Sequence, residues 1–181
     1  GSLFHAPDMY MNKIACGPAA KGVIDLDAPV AENLKNVAEK LNKEVSELVV
    51  MVLDRTRHDK LVEEIRTAGA RVRYITDGDV AGAIVTCLPD SGVDLLMGIG
   101  ASAEAVLAAT ALKCLGGDMQ CRLTPKDDAQ RQRVIDMGVK DPDKKLNLED
   151  LAKGQDLTFT STGVIDGPLL KGVRYTADYC I

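Results

Sequence analysis

The feature that most constrains the fold is an alternation of short apolar runs with segments of helical periodicity. The run LVVMVL at residues 48–53 contains no polar residue, a pattern typical of a strand that is buried on both faces. Apolar residues at helical spacing follow from about His58, and Gly69 ends that segment. The strand-then-helix unit recurs twice further along the chain. This spacing predicts right-handed βαβ crossovers, and therefore an α/β fold with a mostly parallel sheet and flanking helices.

The same two patterns predict the other elements and the domain boundaries. Residues 10–181 are expected to form a single α/β domain, while residues 1–9, which begin with Gly-Ser, are interpreted as a tag remnant or linker. A strand at residues 173–179 would leave an unpaired edge, so we expect it to pair with another chain or with a continuation of this one. The predicted strands are residues 10–16, 48–53, 71–75, 93–97, 119–123, 156–160 and 173–179, and the predicted helices are residues 30–41, 58–68, 80–88, 101–115 and 131–137.

Composition excludes several classes of protein. The chain is 46% apolar and 27% charged, which indicates a globular fold, and its net charge of −5 disfavours non-specific nucleic-acid binding. No run approaches the ~18 apolar residues of a membrane span. Five cysteines without a CxxC motif indicate reduced, largely buried thiols in a cytoplasmic protein. With two histidines in the chain, a histidine-based triad or zinc cluster is not expected.

Polar residues follow four of the predicted strands at the points where those strands end. In an open parallel sheet, ligands bind beyond the carboxyl ends of the strands, because the loops that lead into the helices gather there. These loops supply two arginines, three aspartates, small hydroxyl residues, a glycine-rich turn and one glutamate. The four loops are residues 54–58, 76–79, 98–104 and 161–163.

Each of these side chains has a structural interpretation beside a functional one. Arg55 and Arg57 are either solvated loop cations or a bidentate grip on a phosphate or carboxylate. Asp77 and Asp79 suit a turn and a helix cap, or they accept hydrogen bonds from sugar hydroxyls. His58 is interpreted as a surface residue at the N-terminus of a helix.

The segment GIGASAE at residues 98–104 is the sharpest local motif. Glycines before a helix allow backbone amides to approach an anion, although Ala103 stands where the dinucleotide pattern GxGxxG has its third glycine. Glu104 lies one turn into the helix, where the helix dipole favours a carboxylate. Beside a bound phosphate, however, Glu104 implies a cation between the two groups, and Mg²⁺ or Mn²⁺ prefers such oxygen ligands.

Taken together, several collinear segments resemble class II fructose-1,6-bisphosphatase, a member of the lithium-sensitive, metal-dependent sugar phosphatases. The resemblance extends from residue 10 to about residue 174, and DGD followed by GIGxxxE at this spacing is its most specific part. The segments are YMNKIACGP, KGVIDLDAPVAENLKNVA, RTRHD, DGDVAGAI, CLPDSGVDLLMGIGASAEAV, LGGDMQCRL and FTSTGVIDGPLLKGVR.

The resemblance implies a sugar-phosphatase fold and hydrolysis of the 1-phosphate of fructose 1,6-bisphosphate in gluconeogenesis, assisted by Mn²⁺ or Mg²⁺. Some members of the family also accept sedoheptulose 1,7-bisphosphate. Glu104 corresponds to a metal ligand. The family more often has glycine at the position of Ala101, and lysine can occupy the position of Arg55. The implied substrate contacts are Tyr10, Arg55, Thr56, Arg57, Asp77, Gly78, Asp79 and Ala101.

The family's other metal carboxylates and its water-activating residues lie in an N-terminal domain that has no counterpart here. The resemblance therefore implies that this chain is the sugar-binding part of a two-domain enzyme, shortened at both ends, with no catalytic residue of its own and little activity alone. The implied partners are a sugar bisphosphate and, through the exposed strand edge, a second copy of the chain. The alternatives are a non-catalytic sugar-phosphate- or nucleotide-binding module, or a structural half-domain that pairs with another chain.

Overall fold

A computed structural model describes residues 1–175 of the chain. Its centre is a six-stranded sheet with the order β3-β2-β4-β1-β5-β6. The strands are β1 Tyr10–Cys16, β2 Val49–Leu53, β3 Arg71–Ile75, β4 Leu95–Ala101, β5 Asp118–Leu123 and β6 Leu146–Asn147.

The sheet is mixed rather than mostly parallel. Strand β2 runs parallel to β3 and β4, as the βαβ pattern predicts. Strand β1 instead inserts between β4 and β5 and is antiparallel to both, and β6 is antiparallel to β5. The prediction was wrong here because alternation along the sequence shows that β1 is a strand but carries no information about its direction.

Helices cover both faces of this sheet, which confirms the α/β class. They are α1 Val30–Leu41, α2 Asp59–Thr67, α3 Asp79–Ile84, α4 Ser102–Leu115, α5 Asp128–Asp136 and α6 Leu148–Leu151. Buried side chains form two clusters, one beneath α1 and α2 and the other beneath α3, α4 and α6. Met11 and Ala15 of β1 belong to the second cluster, while Ile14 and Cys16 belong to the first, as the alternation of a strand requires.

Two predicted strands at the end of the chain have different outcomes. Residues 156–160 form no strand, so that prediction was wrong. The segment DLTFT has β-branched and aromatic residues, but it adds to no neighbouring strand in the described structure. The strand predicted at residues 173–179 lies mostly outside the described residues.

The first nine residues contact the rest of the chain at several points. The Phe4 amide donates to the Leu151 carbonyl at 2.8 Å, and Leu3 forms an isolated bridge with Ala152. The Ser102 amide donates to the Met9 carbonyl at 2.9 Å. These contacts attach the segment to α6 and to the start of α4, whatever its origin.

The four described cysteines are free thiols. Cys16 and Cys121 are buried in the sheet, and burial raises the pKa of each to about 12. Cys87 is partly buried and Cys114 is exposed. Among residues 1–175, no helix has both the length and the apolar character needed to cross a membrane.

Candidate functional site

Three of the four predicted loops meet at one end of the sheet, which we call the carboxyl rim. It consists of the loops after β2 and β3, the junction of β4 with α4, and the start of β1. Strand β1 contributes because its antiparallel direction places Tyr10 opposite Ala101, the last residue of β4. The Thr124 amide, just after β5, donates to the Tyr10 carbonyl at 2.9 Å and brings the end of β5 to the same rim.

A cluster of cations surrounds the Tyr10 ring on this rim. The Arg57 guanidinium carbon lies 4.9 Å from the ring centroid, and the Lys126 ammonium lies 5.8 Å from it. Arg57 is held in place because its Nε and one terminal nitrogen donate to the Ile99 carbonyl at 3.1 and 2.9 Å. Arg57 is exposed and Tyr10 is 40% exposed, so both side chains are accessible to an anionic ligand.

Arg55 forms an ion pair with Asp77 across the loops that follow β2 and β3. One guanidinium nitrogen lies 2.7 Å from Asp77 Oδ1, and the side chains are 39% and 86% exposed. Arg55 also donates to the carbonyl of Asp54. Thr56, between the two arginines, is exposed. An exposed pair of this kind adds little to stability, so a ligand can replace it at low cost.

The turn that follows β3 contains one exposed aspartate and one buried aspartate. Gly78 has φ = 82°, a left-handed conformation that side-chain-bearing residues rarely adopt. Asp77 before it is exposed, while Asp79 after it begins α3 and is 4% exposed. The predicted pair of sugar-binding carboxylates is therefore divided into one surface group and one interior group.

Asp79 makes a buried ion pair with Lys13 of β1, a residue that the site predictions did not include. The Lys13 ammonium lies 2.6 Å from Asp79 Oδ2, and the two side chains are 2% and 5% exposed. Asp79 Oδ1 is buried without a hydrogen-bond partner in the described structure. A side chain at Gly100 would lie 2.0 Å from Asp79 Oδ2 and 2.9 Å from the ammonium, so glycine is required there.

Glu104 completes this cluster from the first turn of α4. Its pKa is raised above the usual value of 4.5, chiefly by burial and then by the neighbouring Asp79 carboxylate. The Lys13 ammonium and the Ala101 amide oppose that rise. Asp79 is therefore near enough to oppose the ionisation of Glu104, and two such carboxyl groups favour a proton or a cation between them.

The glycines of GIGAS lie within strand β4 instead of forming a turn, which corrects the sequence-based interpretation. Gly98 has φ = 136°, and a side chain there would lie 2.9 Å from the His58 ring. His58 is 2% exposed, so its assignment to the surface was wrong. Its Nδ1 pairs with the Leu53 carbonyl at 2.8 Å, and its Nε2 accepts from the Ile99 amide at 2.7 Å. The histidine thus connects the ends of β2 and β4.

The fourth predicted loop, residues 161–163, lies next to the carboxyl rim but is not part of it. It follows no strand, but it lines a shallow groove together with Gly78 and Ile84 of the α3 segment. Ser161 and Thr162 are exposed there. They are neighbours of the loop after β3 without belonging to the carboxyl rim.

The donor groups present here suit a hard divalent cation. Within residues 1–175, no group of three or more His, Cys, Asp or Glu side chains is arranged to hold a metal ion. Two carboxylates, from Asp79 and Glu104, lie together, and one of the Asp79 oxygens has no partner. Proteins commonly bind Mg²⁺ through one or two carboxylates together with waters and substrate phosphate oxygens.

The predictions missed Lys13, and they interpreted His58 as a surface residue and Gly100 as part of a turn. A weak signal for Lys13 existed in the sequence, because it is the only charged residue in the strand YMNKIAC. No comparable signal distinguishes His58 from a surface histidine or Gly100 from a turn glycine.

Comparison with known proteins identifies relatives along the whole chain. The family model described as bacterial fructose-1,6-bisphosphatase, glpX-encoded, matches residues 1–181. The chain is 47% identical over 185 residues to the class 2 fructose-1,6-bisphosphatase of Haemophilus influenzae, which covers 95% of the chain and 55% of that protein. It is 45% identical over 187 residues to the D-fructose 1,6-bisphosphatase class 2/sedoheptulose 1,7-bisphosphatase of Synechococcus sp. (strain JA-3-3Ab), covering 97% of the chain and 54% of that protein. The chain therefore spans about half the length of the curated relatives it matches.

Proposed function

Because this chain belongs to the family of bacterial, glpX-encoded fructose-1,6-bisphosphatases, we propose that it is the sugar-phosphate-binding part of a fructose-1,6-bisphosphatase. The proposed reaction is hydrolysis of the 1-phosphate of fructose 1,6-bisphosphate to fructose 6-phosphate and phosphate, as a step of gluconeogenesis in the cytoplasm. The observation that carries the proposal is the common rim on which Arg57, Tyr10 and the Asp79–Glu104 pair lie.

The two ends of this rim suit the two ends of a bisphosphorylated sugar. Arg57 and Lys126 beside Tyr10 supply positive charge for the phosphate that is not cleaved. Arg55 supplies a second guanidinium once it leaves Asp77, whose carboxylate then accepts hydrogen bonds from sugar hydroxyls. Such contacts convert binding energy into orientation of the phosphate that reacts. The proposed substrate contacts are Tyr10, Arg55, Thr56, Arg57, Asp77, Gly78, Asp79 and Ala101. Asp79 is the buried member of this set.

At the other end of the rim, Glu104 is the proposed metal ligand. A bound Mn²⁺ or Mg²⁺ neutralises phosphoryl oxygens and lowers the pKa of an attacking water. Glu104 serves this chemistry because the first turn of α4 holds its carboxylate next to Asp79. The other metal carboxylates and the water-activating residues are proposed to lie in the half of the relatives that this chain does not match, so we expect the 181-residue chain alone to release little phosphate.

Ligand binding by the chain tests the substrate part of this proposal. We expect fructose 1,6-bisphosphate to bind with measurable heat in calorimetry, and Arg57→Gln to weaken it by roughly tenfold or more, since a charge-assisted hydrogen-bonding partner of phosphate contributes about 1.5–3 kcal/mol. Arg66→Gln is the matched control, because Arg66 stacks on Tyr74 with a separation of 5.9 Å. Equal affinities of the two variants, or tighter binding of NAD than of the sugar bisphosphate, would contradict the proposal and favour a nucleotide-binding module.

A longer polypeptide tests the catalytic part. A chimera would carry this chain in place of the matching part of the Haemophilus influenzae relative, with Glu104→Gln as its variant. We expect kcat to fall by orders of magnitude at saturating Mn²⁺ with a much smaller change in KM. Near-normal turnover of the variant would remove Glu104 from the site.

Sedoheptulose 1,7-bisphosphate is a second candidate substrate, because the Synechococcus relative is named a sedoheptulose 1,7-bisphosphatase as well. It shares with the fructose compound two terminal phosphates on a ketose. The same calorimetric titration, carried out with each bisphosphate, would rank the two compounds by their affinity for the chain.

Association of two copies is proposed as well. Val164, Ile165 and Tyr175 are 74%, 81% and 84% exposed, and the Val173 amide at the start of the predicted edge strand donates to the Val164 carbonyl at 3.2 Å. Size-exclusion chromatography coupled to light scattering would report a dimer. A monomer at all concentrations would contradict this part.

A further inference from the structure

We propose that His58 is a positioning residue for substrate binding, because it fixes Ile99, whose carbonyl in turn holds the side chain of Arg57. The inference rests on the proposed function, since it takes Arg57 to contact a phosphate of the sugar. His58 is 2% exposed, so it acts on binding through other residues and not by touching the sugar. Its contacts lie where β2 and β4 separate.

Ile99 lies beyond the part of β4 that pairs with β2. The two strands pair at Val50 with Leu95 and at Met51 with Leu96, while β1 continues along the other edge to the end of β4. Past these pairs, the edge of β4 that faces β2 needs other partners for its amides and carbonyls, because backbone polar groups away from water are nearly always hydrogen-bonded.

Two consecutive residues of the loop after β2 supply these partners. The Ile99 amide donates to Nε2 of His58 at 2.7 Å, and the Ile99 carbonyl accepts from two nitrogens of Arg57 at 3.1 and 2.9 Å. The amide and the carbonyl of one residue are thus bound by two neighbours in the sequence. A shift of Ile99 would therefore move the anchor of the guanidinium, whose carbon lies 4.9 Å from the centroid of the Tyr10 ring.

The hydrogen bonds of His58 also determine which ring nitrogen carries its proton. An amide can only donate, so Nε2 accepts and bears no hydrogen, and Nδ1 carries the proton of the neutral ring. Nδ1 lies 2.8 Å from the carbonyl of Leu53, the last residue of β2, and donates to it. Of the possible forms of the ring, only this neutral tautomer makes both hydrogen bonds.

The backbone of β4 makes room for this ring. A side chain on Gly98 would lie 2.9 Å from Nε2 of His58, so the glycine before Ile99 allows the ring to reach the Ile99 amide. Gly98 also has φ = 136°, a conformation that residues with a side chain rarely adopt. The strand is thus shaped around the buried histidine, whereas the adjacent Arg57 is exposed to a ligand.

Anchoring of Arg57 before the ligand arrives favours binding. An arginine side chain has many rotamers, and ordering it in a complex costs affinity. An Arg57 that is already bound to the Ile99 carbonyl has lost most of that freedom in the free protein. His58 contributes by keeping this carbonyl where the guanidinium can reach it.

Two variants of His58 separate positioning from packing. Glutamine places an amide oxygen near the position of Nε2 and can still accept from Ile99, whereas asparagine places its amide group near Nδ1 and does not reach the Ile99 amide. In calorimetry we expect His58→Asn to weaken fructose 1,6-bisphosphate binding by roughly fivefold or more, and His58→Gln by less than about twofold, since a neutral hydrogen bond has an effect of this size. His5→Asn is the control, because His5 is exposed. Equal affinities of the two His58 variants would overturn the proposal.

A double-variant cycle tests whether His58 acts through Arg57. In the Arg57→Gln background we expect His58→Asn to change the affinity for the sugar bisphosphate by less than about twofold, because the Ile99 carbonyl then has no guanidinium to hold. A residue that only supports the fold would weaken binding by the same factor in both backgrounds. That result would overturn the proposal.

Nuclear magnetic resonance of the unchanged chain covers the case in which His58→Asn does not fold. Long-range proton–nitrogen spectra distinguish a ring nitrogen that carries a proton from one that does not. We expect the His58 ring at neutral pH to carry its proton on Nδ1, because the hydrogen bonds of the ring select the tautomer. The exposed His5 is the internal reference. A proton on Nε2 of His58 would overturn the proposal, because that nitrogen could not accept from Ile99.

These readouts separate the inference from the function on which it rests. If the ring has the expected tautomer but the unchanged chain fails to bind fructose 1,6-bisphosphate, the proposed function fails and the contact between His58 and Ile99 stands. If the sugar bisphosphate binds and His58→Asn binds it as tightly as the unchanged chain, the function stands and His58 is not a positioning residue.

Discussion

Two aspartates on either side of Gly78 form ion pairs with very different surroundings. The Arg55–Asp77 pair lies in solvent, with side chains 39% and 86% exposed, whereas the Lys13–Asp79 pair has side chains 2% and 5% exposed. Their nitrogen–oxygen distances are nearly the same, 2.7 and 2.6 Å. The nitrogen–oxygen distance therefore says little about how much an ion pair contributes to the stability of the fold. Exposure decides whether it is an adjustable contact or a fixed part of the fold.

The largest effect is expected from breaking the buried pair. Lys13→Met leaves Asp79 as an uncompensated charge in the interior, and such losses cost about 3–5 kcal/mol of unfolding free energy. The double variant Lys13→Met/Asp79→Leu removes both charges and should recover most of that loss. Urea denaturation of the three proteins measures this. A Lys13→Met variant that loses less than about 1 kcal/mol would show that the pair is solvated.

A smaller, pH-dependent effect is expected from Glu104. Its pKa is raised in the folded chain, so its contribution to stability is fully present below pH 4.5 and is lost as the pH rises through the folded value. Without divalent metal, Glu104→Gln should match wild type near pH 4 and exceed it near pH 7. The gain should be about 1 kcal/mol or less, because Glu104 is partly exposed and screened. Thermal melts across this pH range test it, and parallel stability curves of the two proteins would contradict it.

The smallest effect is expected from the exposed pair. Asp77→Asn should change the unfolding free energy by about 0.5 kcal/mol or less, since exposed pairs of this kind are largely screened. The same urea series supplies the measurement, with Lys13→Met as the opposite extreme. A loss above about 1 kcal/mol would place Asp77 among the structural residues and remove the contrast between the two pairs.

The sequence predicted that both aspartates lie at one end of the sheet, and the loops after β2, β3 and β4 confirm that placement. It could not show which aspartate is buried, because that depends on Lys13, which approaches from a strand far away in sequence. The direction of β1 was also unpredictable, because it depends on pairing with β4 and β5, which lie far away in the sequence. The wrong expectation of a mostly parallel sheet also concealed why Tyr10, the first residue of β1, lies at the rim.

His58 and the glycines of β4 show a second limit of pattern-based inference. A histidine at the start of a helix and glycines before a helix have common local explanations, namely solvent exposure and a turn. In this structure the buried histidine and the glycine occur together, because the ring of His58 occupies the space that a side chain on Gly98 would take. Contacts of this kind depend on three-dimensional packing, and neither residue carries a local signal of it.

The insertion of β1 between β4 and β5 also has a consequence for synthesis on the ribosome. Strand β1 is translated before the other five strands of the sheet, yet its hydrogen-bonding partners begin at Leu95 and Asp118. Until those segments emerge, the nascent chain must keep a largely apolar strand unpaired, and the centre of the sheet cannot form. Such long-range pairing slows folding. A chaperone that shelters residues 10–16 would therefore act before this sheet can assemble.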